Sequence, residues 1–136
     1  MQTGHSDQTT DGIRVRVAAQ YLPERSAPDS GVYFFVYRVR LDNEGERSAQ
    51  LMSRYWRITD ANGEIEEVRG PGVVGDQPVL EPGGSYEYMS GSSLETEWGT
   101  MEGHYDFVRE EGEQPFKVGI GRFFLALSTA PITAQD

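Results

Sequence analysis

Arg54-Tyr55-Trp56-Arg57-Ile58-Thr59-Asp60-Ala61-Asn62-Gly63-Glu64, running on to Gly70-Pro71-Gly72-Val73-Val74-Gly75-Asp76-Gln77-Pro78, decides the architecture of this chain. Trp56 and Ile58 alternate with Tyr55 and Arg57, the period of two that sends successive side chains to opposite faces of a strand. Asp60-Ala61-Asn62-Gly63 carries the Asx and glycine chemistry of a hairpin turn, and Glu64 to Arg69 reads as the returning strand. Gly70, Gly72 and Gly75 then spell G-x-G-x-x-G. In a dinucleotide site that pattern follows a strand and opens directly into a helix, whose N-terminus holds the pyrophosphate. Here Pro78 and Pro82 interrupt the segment, and Val73-Val74 and Val79-Leu80 are strand-like. The Rossmann reading fails for want of a helix, and no Lys-Ser/Thr pair follows to make a P-loop.

Outward from this hairpin the same alternation recurs. Ile13, Val15 and Val17 share a face opposite Arg14 and Arg16, and Tyr33, Phe35, Tyr37, Val39 and Leu41 line one face of the next strand. Phe34 and Val36 make the start of that strand apolar on both sides, which predicts either a covering loop or a partner surface. Met52 falls in phase with Trp56 and Ile58, as does Arg54, which is either a paired buried arginine or a site residue. Glu81-Pro82-Gly83-Gly84 is a turn before Tyr86 and Tyr88; Tyr105 and Phe107 mark a further strand, and Glu110 to Glu113 a turn after it. Phe116, Val118 and Ile120 occupy even positions but Phe123, Leu125 and Leu127 odd ones. Such a change of phase across Gly121-Arg122 is what a β-bulge produces.

No window sustains a helical stripe, so about seven short strands predict an all-β, antiparallel β-sandwich with Trp56 in its core. At 136 residues the chain is read as one domain over residues 13–128, with a disordered N-terminal tail at 1–12 and a C-terminal tail at 129–136.

Composition narrows the chemistry. There is no cysteine, which removes disulfides, a thiolate nucleophile and cysteine-based zinc sites. Twelve Lys and Arg against 22 Asp and Glu give a net charge of -10, which disfavours nucleic acid as a partner. The apolar run Val32 to Tyr37 is far short of the ~20 residues that span a bilayer, and the start lacks a signal-peptide pattern. The expectation is a soluble, cytoplasmic protein with no membrane insertion. His5 and His104 have no ligand spacing between them, and the acidic triplets Glu64/Glu66/Glu67 and Glu110/Glu111/Glu113 read as solvated turn residues, so no metal site is expected. Ser53, Ser85, Ser90, Ser92 and Ser93 are ordinary strand and turn residues, and His104 has no anchored acid beside it; no catalytic constellation and no cofactor are expected.

Two candidate sites remain. Successive amides of a glycine-rich turn bind an anion when they point inward, so Gly70, Gly72 and Gly75 with Arg69, helped by Arg54, form a candidate phosphate site. The same glycines also suit a structural loop that needs positive φ. For a protein partner the candidates are Trp98, in Glu95-Thr96-Glu97-Trp98-Gly99, together with Phe34 and Val36; the leading reading of Trp98 itself is a lid folded back on the domain.

Several blocks in order resemble the ApaG family. They are Tyr33 to Val39 with Asn43, Arg54 to Pro78, Pro82 to Tyr88 with Ser90-Gly91, Gly99 to Tyr105, and Phe116 to Leu127, together nearly all of residues 13–128. The resemblance implies an immunoglobulin/fibronectin type III-like sandwich. Similar domains in some eukaryotic F-box proteins and in a polymerase-interacting protein look like recognition modules, and bacterial members are often labelled cobalt and magnesium efflux proteins. With nothing here to span a membrane, the resemblance implies a non-enzymatic binding module that recognises an unknown protein partner, tied only indirectly to cobalt and magnesium homeostasis. The alternative is a small-ligand protein taking a phosphate-containing molecule, such as a diadenosine polyphosphate with Mg²⁺, at the Gly70–Gly75 loop.

Overall fold

The computed structural model describes residues 4–110 and 113–127. Among them the chain runs β1 (His5–Thr10), β2 (Ile13–Tyr21), β3 (Tyr33–Asn43), β4 (Ala49–Asp60), β5 (Ile65–Pro71), β6 (Val79–Leu80), β7 (Ser85–Leu94), β8 (Trp98–Val108) and β9 (Phe116–Ala126), with two 3-10 turns at Pro23–Arg25 and Pro28–Ser30. All pairings are antiparallel. One sheet has the order β1-β2-β3-β7, the other β5-β4-β8-β9 with β6 beside β4. No helix among the described residues is long and apolar enough to cross a membrane.

Alternation places the core. Ile13, Val15, Phe35, Val39 and Leu41 of the first sheet face Leu51, Tyr105, Phe107, Phe123 and Leu125 of the second, all fully buried. Trp56 is 2% exposed and meets Tyr37, Tyr105 and Phe123 edge-on, at centroid distances of 5.3, 6.4 and 5.9 Å. The edge-to-face geometry sets ring edges against π faces and adds to simple area burial. The sequence expectation of a tryptophan plug holds.

The expected bulge in the last strand is also present: Met101 pairs with Phe123 and Gly103 with Ile120, so Gly121 and Arg122 oppose Glu102 alone. A second bulge is new. Leu51 pairs with Phe107 and Ser53 with Asp106, leaving Met52 unopposed. Ala49 and Leu51 are therefore the inward residues before it and Trp56 and Ile58 after it. Met52 does not share the face of Trp56, because the extra residue resets the phase.

The described part of the segment expected as an N-terminal tail also departs from expectation. Instead of a disordered tail, His5–Thr10 form β1, paired along its whole length with β2. Its sequence shows no apolar alternation because an edge strand is held by backbone pairing and side-chain bonds rather than burial. Arg14 donates to both oxygens of Asp7 at 2.9 and 2.6 Å, and the Gly119 amide donates to Thr10 Oγ1 at 3.2 Å. Through such contacts β1 and β2 meet β9 and close one side of the sandwich. The C-terminal tail expected at 129–136 lies outside the described residues.

Candidate functional site

The glycine loop is a tight hairpin. Val74 (φ 42°) and Gly75 (φ 87°) both have positive φ, and Val73 and Asp76 exchange amide-to-carbonyl bonds at 2.8 Å, a type I′ arrangement. The Gly72 amide donates to the Met52 carbonyl at 2.9 Å. Gly72 itself has φ 61°, and a Cβ there would strike the Asp76 carbonyl. The amides of Gly72, Val73 and Asp76 are thus committed to protein carbonyls. Arg69 is not beside them: its guanidinium lies 4.3 Å over the Tyr55 ring on the outer face. Arg54 takes the inner place instead. Its guanidinium packs under Gly70, where a Cβ would come within 3.0 Å of Nη1, and Nη1 donates to the carbonyls of Pro71 and Gly72 at 3.0 Å each.

From Arg54 a cleft opens between the two sheets. Along β7 the inward positions are Tyr86, Tyr88, Ser90, Ser92 and Leu94, so two serines stand where alternation would otherwise put core residues. Opposite them lie Val68 and Glu66 of β5, with Trp56 and Ile58 as the floor. Small side chains on one wall and a polar one on the other leave a cavity of about 300 Å³. It adjoins a smaller hollow of about 140 Å³, which shares Ile58, Glu66 and Ser93 and adds Asp60, Glu64 and Glu95. One end of the cleft therefore carries a guanidinium and the other four carboxylates. Among the described residues no group of His, Asp or Glu is arranged to hold a metal ion.

The phenols near Arg54 stay protonated. Burial pushes the Tyr88 and Tyr105 hydroxyls well above the ordinary phenol range, and the two share a hydrogen bond of 2.5 Å. Burial likewise raises Tyr37, against a lowering bond from Ser90. Tyr86 donates to Asp76 Oδ2 at 2.7 Å, and this carboxylate pushes its hydroxyl up to about 12. That bond ties the glycine loop of one sheet to β7 of the other.

Trp98, 42% exposed, begins β8 and stacks on Phe124 at 6.2 Å on the outer face. It is not a lid over the core. Phe34 is half-buried, its ring over Gly91 and the Arg25 guanidinium 4.3 Å above it; the Pro23–Arg25 turn supplies this cover. Val36 is half-buried on the same strand face, remote from Trp98 in the other sheet.

His104 does have an acid near it, contrary to the sequence reading: Asp106 Oδ1 is 4.0 Å from its Nε2, two residues along one strand face. Its imidazole lies tilted against the Tyr55 ring at 5.0 Å, and burial lowers its pKa against the pull of Asp106. Ser53 completes the residue types of a triad but donates its hydroxyl to Asp106 Oδ2 at 2.8 Å. The serine proton goes to the acid and not to the imidazole, so this wiring activates no nucleophile. The serines of β7 and the Arg54 end of the cleft were the features least visible beforehand. Their signal was Ser90 and Ser92 continuing the inward phase of Tyr86 and Tyr88.

Comparison with known proteins bears on the whole domain. The family model of the ApaG domain matches residues 23–109. The chain is 46% identical over 121 residues to Protein ApaG of Stenotrophomonas maltophilia, covering 89% of this chain and 94% of that one. Against Protein ApaG of an Acidovorax species it is 51% identical over 113 residues, 83% of this chain and 82% of that one. A solved structure described as an ApaA protein of Bordetella pertussis superposes with a TM-score of 0.82 at 42% identity, covering 96% of this chain and all of that one. Sequence blocks, sandwich topology and these relatives agree, and the chain belongs to the ApaG family.

Proposed function

We propose that this domain is a non-enzymatic recognition module that holds an extended segment of a protein partner in the cleft between β5 and β7. Any tie to cobalt and magnesium homeostasis then runs through that partner. One observation carries the proposal: among the described residues β5 and β7 are the two strand edges without a neighbour on this side, and both border the same cleft. An edge strand offers alternating amides and carbonyls to an added strand, and adjoining pockets read its side chains. Trp56, Ile58 and Val68 supply apolar contact inside the cleft, and Ser90 and Ser92 supply hydroxyls. Trp98 and Phe34 lie outside it and serve as secondary contacts at most. Selection of extended peptides from a displayed random library, followed by amide shift mapping, tests this. The expected result is shifts on β5 and β7; selected peptides that shift only other surfaces would sink the proposal.

A second reading takes a phosphate-bearing small molecule at the loop end. Its support is Arg54, whose Nη1 alone is engaged by the carbonyls of Pro71 and Gly72, which leaves the rest of the guanidinium toward the cleft. Titration with diadenosine tetraphosphate and Mg²⁺ should then move resonances at Gly70, Gly72 and Arg54; a flat titration removes this reading.

A further inference from the structure

We infer that the segment held between β5 and β7 is basic, and that it seats one lysine or arginine side chain at the cleft end formed by Asp60, Glu64, Glu66 and Glu95. This rests on the recognition proposal above and names the chemistry of its partner. The two sheets build that end jointly: Asp60, Glu64 and Glu66 come from the β4–β5 hairpin, and Glu95 from the connection between β7 and β8. None of the four has an ion-pair partner among the described residues, whereas several acids on other strands are matched. Asp7 pairs with Arg14, Asp42 with Arg16 and Arg40, and Glu113 with Arg47. Asp60 Oδ1 accepts from the amides of Asn62 and Glu64, which shapes the turn without supplying a positive charge. A cation seated in this hollow would face carboxylates contributed by both sides of the cleft, an attraction that falls with distance and with screening.

Shape agrees with charge. Ile58, Ile65 and Leu94 line the hollow beside the carboxylates, so the methylene stem of a Lys or Arg has apolar wall and its head has acidic rim. The hollow, about 140 Å³, is sized for one side chain. Arg54 sets the polarity. Arg54 pairs with Gly70 and Ile58 with Glu66, four residues further along the strand, or roughly 13 Å at about 3.3 Å per residue. A second basic residue at that distance would meet the guanidinium, so the preferred segment is basic at the hairpin end and neutral or acidic at the loop end.

The test uses the full-length protein and the peptides selected from the displayed library. Cleft-binding peptides should be enriched in a single Lys or Arg, and their affinity should fall as salt is raised from 0.05 to about 0.5 M because exposed charges are screened. Glu64→Gln with Glu66→Gln should weaken them about fivefold, and Glu95→Gln about twofold, with the amide spectrum otherwise unchanged. Peptides that occupy the cleft without Lys or Arg, or that bind the Gln variants as tightly as the parent, overturn the basic-segment inference while recognition through the cleft stands. If no selected peptide shifts β5 or β7, recognition through the cleft fails, and the charge inference with it.

Discussion

The two long sides of this sandwich are finished differently. Where β1 and β2 meet β9, a polar strand seals the boundary with fitted contacts: Gln8 packs against Gly119, where a Cβ would intrude, and lies close to Gly121, while Asp7 ties β1 to Arg14 of β2. Where β7 faces β5, serines and a glutamate occupy inward positions and the sheets stand open. The contrast teaches that β-sheet edges can be blunted or kept available with equally polar residues. What separates the sides is whether the small and polar groups meet one another. On the closed side they do; on the open side they leave volume.

Trp56 belongs to both sides, as core plug and cleft floor, so it is the place to break the comparison most severely. Trp56→Ala should cost about 3–5 kcal/mol in urea unfolding, and peptide binding should vanish with the floor. Gly72→Ala comes next. The positive φ and the Asp76 carbonyl both oppose a side chain there, and a loss of about 2 kcal/mol is expected. Because Arg54 is anchored on this loop, shifts at the loop end of the cleft should accompany the loss, while β1 resonances stay put.

Ser92→Val sharpens the comparison in the opposite direction, by giving the open side the filled interior of the closed one. Stability should rise by about 1 kcal/mol as apolar surface is buried, while cleft binding falls. Unchanged binding in this variant would mean that the cleft is not the site. The smallest effect is on the closed side. The hydrogen bond from Arg14 holds the Asp7 carboxyl below its ordinary range. A depressed carboxyl pKa contributes stability above its unfolded value near 3.8, and that contribution disappears as pH falls through the lower folded value. Asp7 is about half exposed, so less than about 1 kcal/mol is at stake. Unfolding measured between pH 2 and 5 should show a shallower acid decline for Asp7→Asn than for the parent.

Much of the fold was legible because its determinants are local. Alternation around Trp56, the Asp60 turn and the phase change at Gly121-Arg122 each concern residues a few positions apart, and each matched the structure. The bulge at Met52 was not legible, since no apolar run on its two sides was long enough to expose the slip. Nor was β1, whose residues carry no hydrophobic period and gain order only from β2 and β9. The candidate phosphate site showed the same division. That the loop lacks a helix followed from its prolines, whereas the exchange of Arg69 for Arg54 depended on which strand face each residue takes.

By itself, then, the amino-acid order determined an all-β sandwich, its turns, its family and the absence of any cysteine chemistry, because β period, turn residues and composition act within a few residues of chain. Only the tertiary structure decided which acids are matched by arginines and which gather unpaired at one end of a cleft. It likewise decided that Ser53 points to Asp106 instead of His104, and that Ser90 and Ser92 line a hollow and not a surface. Those outcomes depend on register across strands and on the distance between two sheets, which no local pattern encodes.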